Sequence, residues 1–331
     1  METQENSLHA FADRPLEVKP NTMKYGAIEG VEKPVSRIIC GTHTFYTLPE
    51  ASIVYDAFFE LGGNCFDTSH VYGTSVCERI LAQWIHERGI REQVVVLEKG
   101  GNTPNDNGAG LLREMEASLK NTGLAYFDIY MIHRDNESVP IEEWMDALLE
   151  GYGKGYMKAF GISNFKLPRL QEAIEYLKSK GGPKLCALSN NFSLARMLSP
   201  VWDGCVSCSD DEYREWFEQS LMPVFSWSSQ ARGFFTDMAS REDLSDEEMT
   251  RSWYSDENFT RKERAEILAQ EKGVLPINIA LAYVLCQPFP TYALVGPQRR
   301  SEIVSTLAAL DLELSPRELA WLDLRTEKPR G

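Results

Sequence analysis

Phe127-Asp128-Ile129-Tyr130-Met131-Ile132-His133 runs through aromatic and β-branched residues straight into a histidine. A run this short and this apolar has the length of a strand buried on both faces. The residue that ends it has acid–base chemistry. The same pattern recurs along the chain. Strands are expected at Val35–Cys40, Cys65–Thr68, Val94–Leu97, Met157–Ile162, Leu185–Leu188, Pro223–Trp227 and Tyr292–Val295. They deliver Asp67, Lys99, Ser163 with Asn164, Ser189 with Asn190, Trp227 with Ser228, and Gly296 with Gln298. Helical periods lie between them, at Pro49–Leu61, Val76–Arg88, Gly110–Lys120, Ile141–Tyr152, Leu167–Lys180 and Asp211–Gln219 among others. Strand followed by helix, repeated eight times, predicts a parallel sheet closed into a (β/α)8 TIM barrel. The carboxyl ends of such strands meet on one rim, so residues far apart in sequence converge on one pocket. A dinucleotide-binding open sheet fits less well. Gly41-Thr42-His43-Thr44-Phe45 after the first strand lacks the glycine spacing such a turn requires.

The chain reads as a single domain from residue 23 to residue 331, preceded by a polar, flexible tail over residues 1–22 with Pro15 and Pro20. Two features depart from plain alternation. Residues 234–260 form a long loop after strand seven, rich in acidic and aromatic residues and without a period, which suggests a lid. Ser315-Pro316-Arg317-Glu318 opens a C-terminal helix with a capping box and a proline at its first position.

With a net charge of −15, nucleic acid is an unsuitable partner, because phosphate binding needs clustered lysine and arginine. The seven cysteines are an odd, scattered number, and Cys205-Val206-Ser207-Cys208 has no second ligand pair, so no metal site is expected. Met1–Ala10 has neither a basic start nor an apolar run, and no stretch reaches membrane-spanning length. The expected setting is cytoplasmic, with no membrane partner.

Asp67, Tyr72, Lys99 and His133 form the chemical core of the reading. An unperturbed tyrosine titrates near 10, too high for ready proton exchange at neutral pH. A neighbouring ammonium favours the phenolate, and a carboxylate beside that ammonium holds it charged and oriented. Such a chain suits a general acid that protonates a carbonyl oxygen as hydride arrives. A histidine across the pocket adds a second hydrogen bond to that oxygen.

Asp67-Thr-Ser-His-Val-Tyr72-Gly73 with Glu78, Leu97-Glu98-Lys99, Asp128-Ile-Tyr-Met-Ile-His133 and Gly153-Lys-Gly-Tyr-Met-Lys-Ala-Phe-Gly161-Ile-Ser163-Asn164-Phe165 resemble the motifs of the aldo-keto reductases. The resemblance spans about residues 23–325. It implies hydride transfer from NADPH, with NADH as an alternative cofactor, to an aldehyde or ketone. The catalytic tetrad falls on Asp67, Tyr72, Lys99 and His133, with Tyr72 as acid/base. Ser163 and Asn164 match the pair that binds the nicotinamide carboxamide, and Trp227 the aromatic stacked on the nicotinamide. Ser228, Gln230, Arg232 and Gly233 match the pyrophosphate loop. Three positions depart from the pattern. Ser189 replaces a glutamine, with Asn190 as a substitute. Ser305-Thr306 replaces a Glu-Asn pair that contacts adenine. The last loop, Gly296 to Arg300, offers Gln298, Arg299 and Arg300 to a 2′-phosphate.

His43, His70, Arg134 and Trp253 are candidates for the substrate end. A rim this polar suits a small polar or sugar-like carbonyl, hence a role in carbohydrate metabolism. The alternative is a nicotinamide-binding regulatory barrel whose output is a protein interaction. An oligomer is compatible with either.

Overall fold

The structure, a computed structural model, describes residues 15–102 and 106–329. An antiparallel hairpin, β1 (Tyr25–Ile28) and β2 (Val31–Ser36), precedes a closed barrel. The barrel strands are β3 (Ile38–Gly41), β4 (Cys65–Asp67), β5 (Val95–Gly100), β6 (Phe127–Ile132), β7 (Met157–Ser163), β8 (Leu188–Ser189), β9 (Val224–Ser226) and β10 (Thr291–Val295). All pair in parallel with their neighbours, and β10 closes onto β3 through Ala293–Ile38 and Val295–Cys40. The helices that follow these strands are α1 (Leu48–Glu60), α2 (Val76–Arg88), α3 (Gly108–Thr122), α4 (Ile141–Gly153), α5 (Leu167–Lys180) and α6 (Asp211–Ser220). Beyond β9 come α7 (Glu247–Trp253), α8 (Asp256–Lys272) and α9 (Pro276–Leu285), and after β10 α10 (Arg300–Leu307) and α11 (Pro316–Leu322). Among the described residues, no helix is long and apolar enough to cross a membrane.

Strand parity positions the chemistry. Alternate residues of a strand face opposite sides. Cys65, Val95, Leu97, Ile129 and Met131 pack together inside the barrel, while Phe66, Val96, Tyr130 and Ile132 pack outward against the helices. Continuing each inward series by two residues reaches Asp67, Lys99 and His133. One rule of side-chain alternation therefore directs all three into the mouth of the barrel.

Sequence and structure differ in three places. The first expected strand is two strands in the structure. Val35 and Ser36 turn back to pair with Gly26 and Tyr25, and only Ile38–Gly41 joins the barrel. The hairpin closes the base of the barrel, with Ile28 and Val35 inserted among the interior residues. Gly30, at φ 85°, permits this, because a Cβ there would stand 2.8 Å from the Lys158 carbonyl oxygen.

Residues 1–14 of the expected tail lie outside the described residues, but the chain is tied down before Met23. The Lys19 N–H donates to Glu60 O at 2.7 Å, and its ammonium pairs with the Glu60 carboxylate at 2.6 Å.

The stretch 234–260, read as irregular, contains α7 and the start of α8. The Asp246 carboxylate caps α7 by accepting from Met249 N–H at 2.9 Å, and Ser255 caps α8 through Asn258 N–H at 3.1 Å. The acidic run taken for loop is a cap followed by a first turn, where negative charge meets the exposed N–H groups of a helix.

Candidate active site

Asp67 and Lys99 form a hydrogen-bonded ion pair inside the mouth, with only 4% and 2% of each residue exposed. Two buried charges coexist because each neutralises the other. Burial pushes the Asp67 carboxyl above its ordinary value, and the Lys99 ammonium pulls it part of the way back. Tyr72 lies in the turn after β4. Its ring centroid is 5.9 Å from that of His43 and 5.6 Å from that of His133, the latter edge-on at 85°. Burial raises its phenol well above the usual value, the Asp67 carboxylate adds to the rise, and the Arg134 guanidinium opposes it. The expected ammonium-driven lowering is thus reversed. Desolvation of the phenolate outweighs nearby positive charge, and Tyr72 holds its proton as a donor.

His133 is depressed well below the ordinary imidazole value, first by burial and then by Lys99 and Arg134. It is therefore neutral at pH 7, and its tautomer turns on where one neighbouring hydroxyl points. Ser69 Oγ donates to the Lys99 carbonyl oxygen at 2.8 Å and lies 2.9 Å from His133 Nδ1. A hydroxyl has one proton, and the carbonyl can only accept it. With that bond kept, Nδ1 carries the hydrogen and donates to Ser69, leaving Nε2 a lone pair; with the hydroxyl turned to Nδ1 instead, Nε2 carries the hydrogen, and the Lys99 carbonyl is still met by the His70 N–H at 3.2 Å. The expected donation from His133 to the carbonyl oxygen requires the second of these tautomers. Ser69 was not singled out from sequence, although it stands two residues beyond Asp67 on the same turn.

Ser163, Asn164 and Ser189 meet where β7 and β8 end. Ser163 Oγ donates to Ser189 O at 2.6 Å. Asn164, at φ 61°, donates through Nδ2 to His133 O and Ser163 Oγ, both at 3.0 Å, and accepts at Oδ1 from Val206 N–H at 3.1 Å. At this end of the barrel Ser189 Oγ, Asn190 Oδ1 and Trp227 Nε1 are among the buried polar atoms of the described residues that have no hydrogen-bond partner. An orphaned buried polar atom costs free energy, so these three suit a polar ligand group such as a carboxamide. They include both positions at which the sequence departs from the expected glutamine.

After Trp227 the backbone takes positive φ at Ser228, Ala231, Arg232 and Gly233. These residues make a tight turn held by its own bonds: the Ala231 N–H donates to Ser228 O at 2.8 Å and the Gly233 N–H to Gln230 O at 3.2 Å. The Arg232 side chain is engaged elsewhere: it pairs with Glu248 on α7 at 2.6 Å and covers the Trp202 ring at 5.1 Å. Trp202 in turn lies 6.2 Å from Trp227. Gln298 lines a cleft with His43, Phe45, Tyr46 and Glu50, and its N–H donates to Glu302 Oε2 at 2.7 Å. Gly296, Arg299 and Arg300 are exposed at the start of α10.

Two substrate candidates are misplaced. His70 faces away from the mouth. Its Nδ1 lies 3.1 Å from both Ser118 and Ser75 and 3.6 Å from the buried Glu78 carboxylate. Hydrogen bonding to Glu78 raises it, so it counters a buried charge between α2 and α3. Trp253 is fully buried in the core, because α7 turns its apolar side inward. His43 and Arg134 do stand at the mouth. Trp202 and Cys205, on the loop after β8, were missed. That loop has no periodicity, and only its tryptophan and cysteines marked it in the sequence.

The sequence profile described as the Aldo/keto reductase family matches residues 37–324. The chain is 26% identical over 296 residues to norsolorinic acid reductase of Emericella nidulans, covering 82% of this chain and 71% of that protein. It is also 26% identical over 304 residues to an NADP(+) aryl-alcohol dehydrogenase of Phanerodontia chrysosporium, covering 83% and 75%. A putative voltage-gated potassium channel subunit beta of Schizosaccharomyces pombe is 25% identical over 298 residues, covering 80% of each. An aldo-keto reductase from Klebsiella pneumoniae, solved in complex with NADPH, shares the fold with a TM-score of 0.70 at 21% identity, covering 91% and 94%. With that profile spanning most of its length and the strand-end residues converging as they do, the chain belongs to the aldo/keto reductase family, whose chemistry is nicotinamide-dependent oxidoreduction.

Proposed function

We propose that this protein reduces a small polar aldehyde or ketone with NADPH, Tyr72 serving as general acid. The observation that carries the reading is the buried Lys99–Asp67 pair in a mouth shared with Tyr72 and His133. A cofactor fits the residues present. Ser189, Asn190 and Trp227 supply unpartnered polar atoms, and the tight turn from Ser228 to Gly233 lies directly after them. Bound NADPH supplies the hydride.

The protein's own part is proton delivery and orientation. Tyr72 is protonated at neutral pH, and an alkoxide forming within hydrogen-bond reach is basic enough to take its proton. Lys99 and Asp67 cancel each other's charge while shaping the field around the phenol. His133, neutral and facing Tyr72 across the mouth, hydrogen-bonds the substrate through Nε2, accepting from a hydroxyl in one tautomer and donating to the carbonyl oxygen in the other. The polar rim that His43 and Arg134 add supports a hydroxylated, sugar-like carbonyl. Trp202 and Trp227 add an aromatic side to the mouth.

Steady-state NADPH oxidation against sugar, inositol and simple aromatic carbonyls tests the reading. Turnover well above the cofactor's background oxidation is expected with at least one class. Absence of turnover across the panel, with NADPH still bound, would favour the regulatory role suggested by the channel-subunit relative.

A further inference from the structure

Among the described residues, no ion pair joins a carboxylate to Arg134, the residue after His133. Arg134 Nε donates to Asp203 O and its Nη1 to His133 O, both at 3.2 Å. Backbone carbonyls orient a guanidinium without neutralising it, and Nη2 keeps both its donors. The acids of the neighbouring loops are engaged elsewhere. Asp135 receives a two-pronged bond from Arg169, 3.0 Å on each side. Glu137 pairs with Lys166 at 2.6 Å, and Asp106 accepts from Asn136 at 3.3 Å. The Asp203 carboxylate accepts from Gly204 N–H at 3.1 Å. Among the described residues Asp135, Glu137 and Asp203 form no ion pair with Arg134. The other arginine of the mouth, Arg232, is matched by Glu248. In a chain of net charge −15, an unmatched cation beside the reacting groups is an exception.

Its position is also built. The loop carrying Trp202 and Cys205 closes onto the arginine stem at Gly204, which has φ 71° and where a Cβ would stand 3.2 Å from Arg134 Cδ. A side chain there would crowd the arginine stem, and the left-handed backbone at Gly204 itself favours glycine.

The geometry points to Arg134 as the group that recognises an oxyanion, a carboxylate or a phosphate ester, carried by the carbonyl substrate. This rests on the carbonyl-reductase reading and names the substrate class for that site. A planar guanidinium held by its Nε and one Nη presents its remaining N–H groups to a planar or tetrahedral oxyanion.

Two measurements test it. The first compares NADPH-dependent reduction of 4-carboxybenzaldehyde, 4-formylphenyl phosphate and neutral 4-formylbenzamide. At least one anionic aldehyde should exceed the amide by about tenfold in kcat/KM, mainly through KM, the scale of one charge-assisted contact. Arg134→Gln should bring that ratio close to one, and Arg134→Lys should keep part of it. Whichever anion is preferred identifies the source of the charge. The second measures binding of benzoate and benzamide to the NADP-loaded protein by tryptophan fluorescence, which needs no turnover. Benzoate should bind more tightly, and Arg134→Gln should remove the difference. Equal treatment of anion and amide by the unmodified protein, or a preference that survives Arg134→Gln, would overturn the assignment. Loss of turnover with all three aldehydes alongside a clear benzoate preference would instead count against the reductase reading.

Discussion

Replacing Lys99 with methionine isolates the energetics of the buried pair. The Lys99 and Asp67 side chains are 3% and 5% exposed, so solvent screens them little. Removing one partner of such a pair costs about 3–5 kcal/mol, a large share of the ~5–15 kcal/mol that holds a folded domain together. Asp67 has a cheaper escape, which is to take up a proton. Its folded carboxyl already lies above the ordinary 3.8 with the ammonium present, because burial dominates. In Lys99→Met only burial remains, and the carboxyl rises further. Between 3.8 and that raised value the native state binds more protons than the unfolded chain, so stability falls as pH rises through the window. The deficit of Lys99→Met should therefore be small near pH 5 and greatest near pH 8, on the order of 3 kcal/mol. Asp67→Asn in the same chain removes the stranded charge, and the double variant should recover most of the loss at the higher pH. Urea unfolding of the three proteins at both pH values reads this directly. A deficit that does not change with pH, or a double variant no more stable than the single one near pH 8, would refute the reasoning.

Tyr72→Phe should retain NADPH binding, followed by fluorescence, and lose turnover by about 10²-fold or more, the scale of a missing general acid; near-normal turnover would remove Tyr72 from that role. With the Ser69 hydroxyl on the Lys99 carbonyl, Ser69→Ala should release the His133 Nδ1 proton, and ¹⁵N shifts of the imidazole should show it moving toward Nε2. A wild-type His133 already protonated at Nε2 would place that hydroxyl on Nδ1 instead. Arg299→Ala with Arg300→Ala should weaken NADPH binding while sparing NADH, as titration of both cofactors would show. Equal weakening, or none, would leave the 2′-phosphate to another group such as Gln298.

The barrel was legible because its signal is local and repeated. Each strand is a short apolar run and each end a conspicuous residue, so Asp67, Lys99 and His133 stood out before any geometry was known. Parity then places them correctly, because Cys65, Leu97 and Met131 face inward two residues earlier. What escaped depends on contacts between segments distant in sequence. Val35 looked like the start of the first barrel strand, since nothing local reveals that it pairs with Gly26. His70 looked like a rim residue until Glu78 and Ser118 drew it outward. Trp253 followed the acidic run Asp246–Glu248, whose charges hid a helix start. Tyr72 was expected to titrate low because a sequence names its neighbours but not how much water they exclude.

The hairpin at the base of the barrel has a bearing on how the chain is made. Its seats belong to strands translated much later: Gly30 closes on Lys158 in β7, and Gly26 on the Tyr292 ring in β10. Arg37, just after it, donates to Leu285 O at 3.1 Å and Thr291 Oγ1 at 3.0 Å. The hairpin and Arg37 therefore gain these particular partners only once β7, and then β10, have been synthesised. Closure of β3 onto β10 spans most of the polypeptide, and contacts of such separation slow folding. During that interval the interior cluster around Ile28, Val35 and Ile39 lacks Phe225, Tyr292 and Leu294. An N-terminal fusion partner that holds this stretch soluble until β10 arrives should therefore raise the yield of folded protein, whereas trimming the chain back to Ile38 would leave the barrel without a floor.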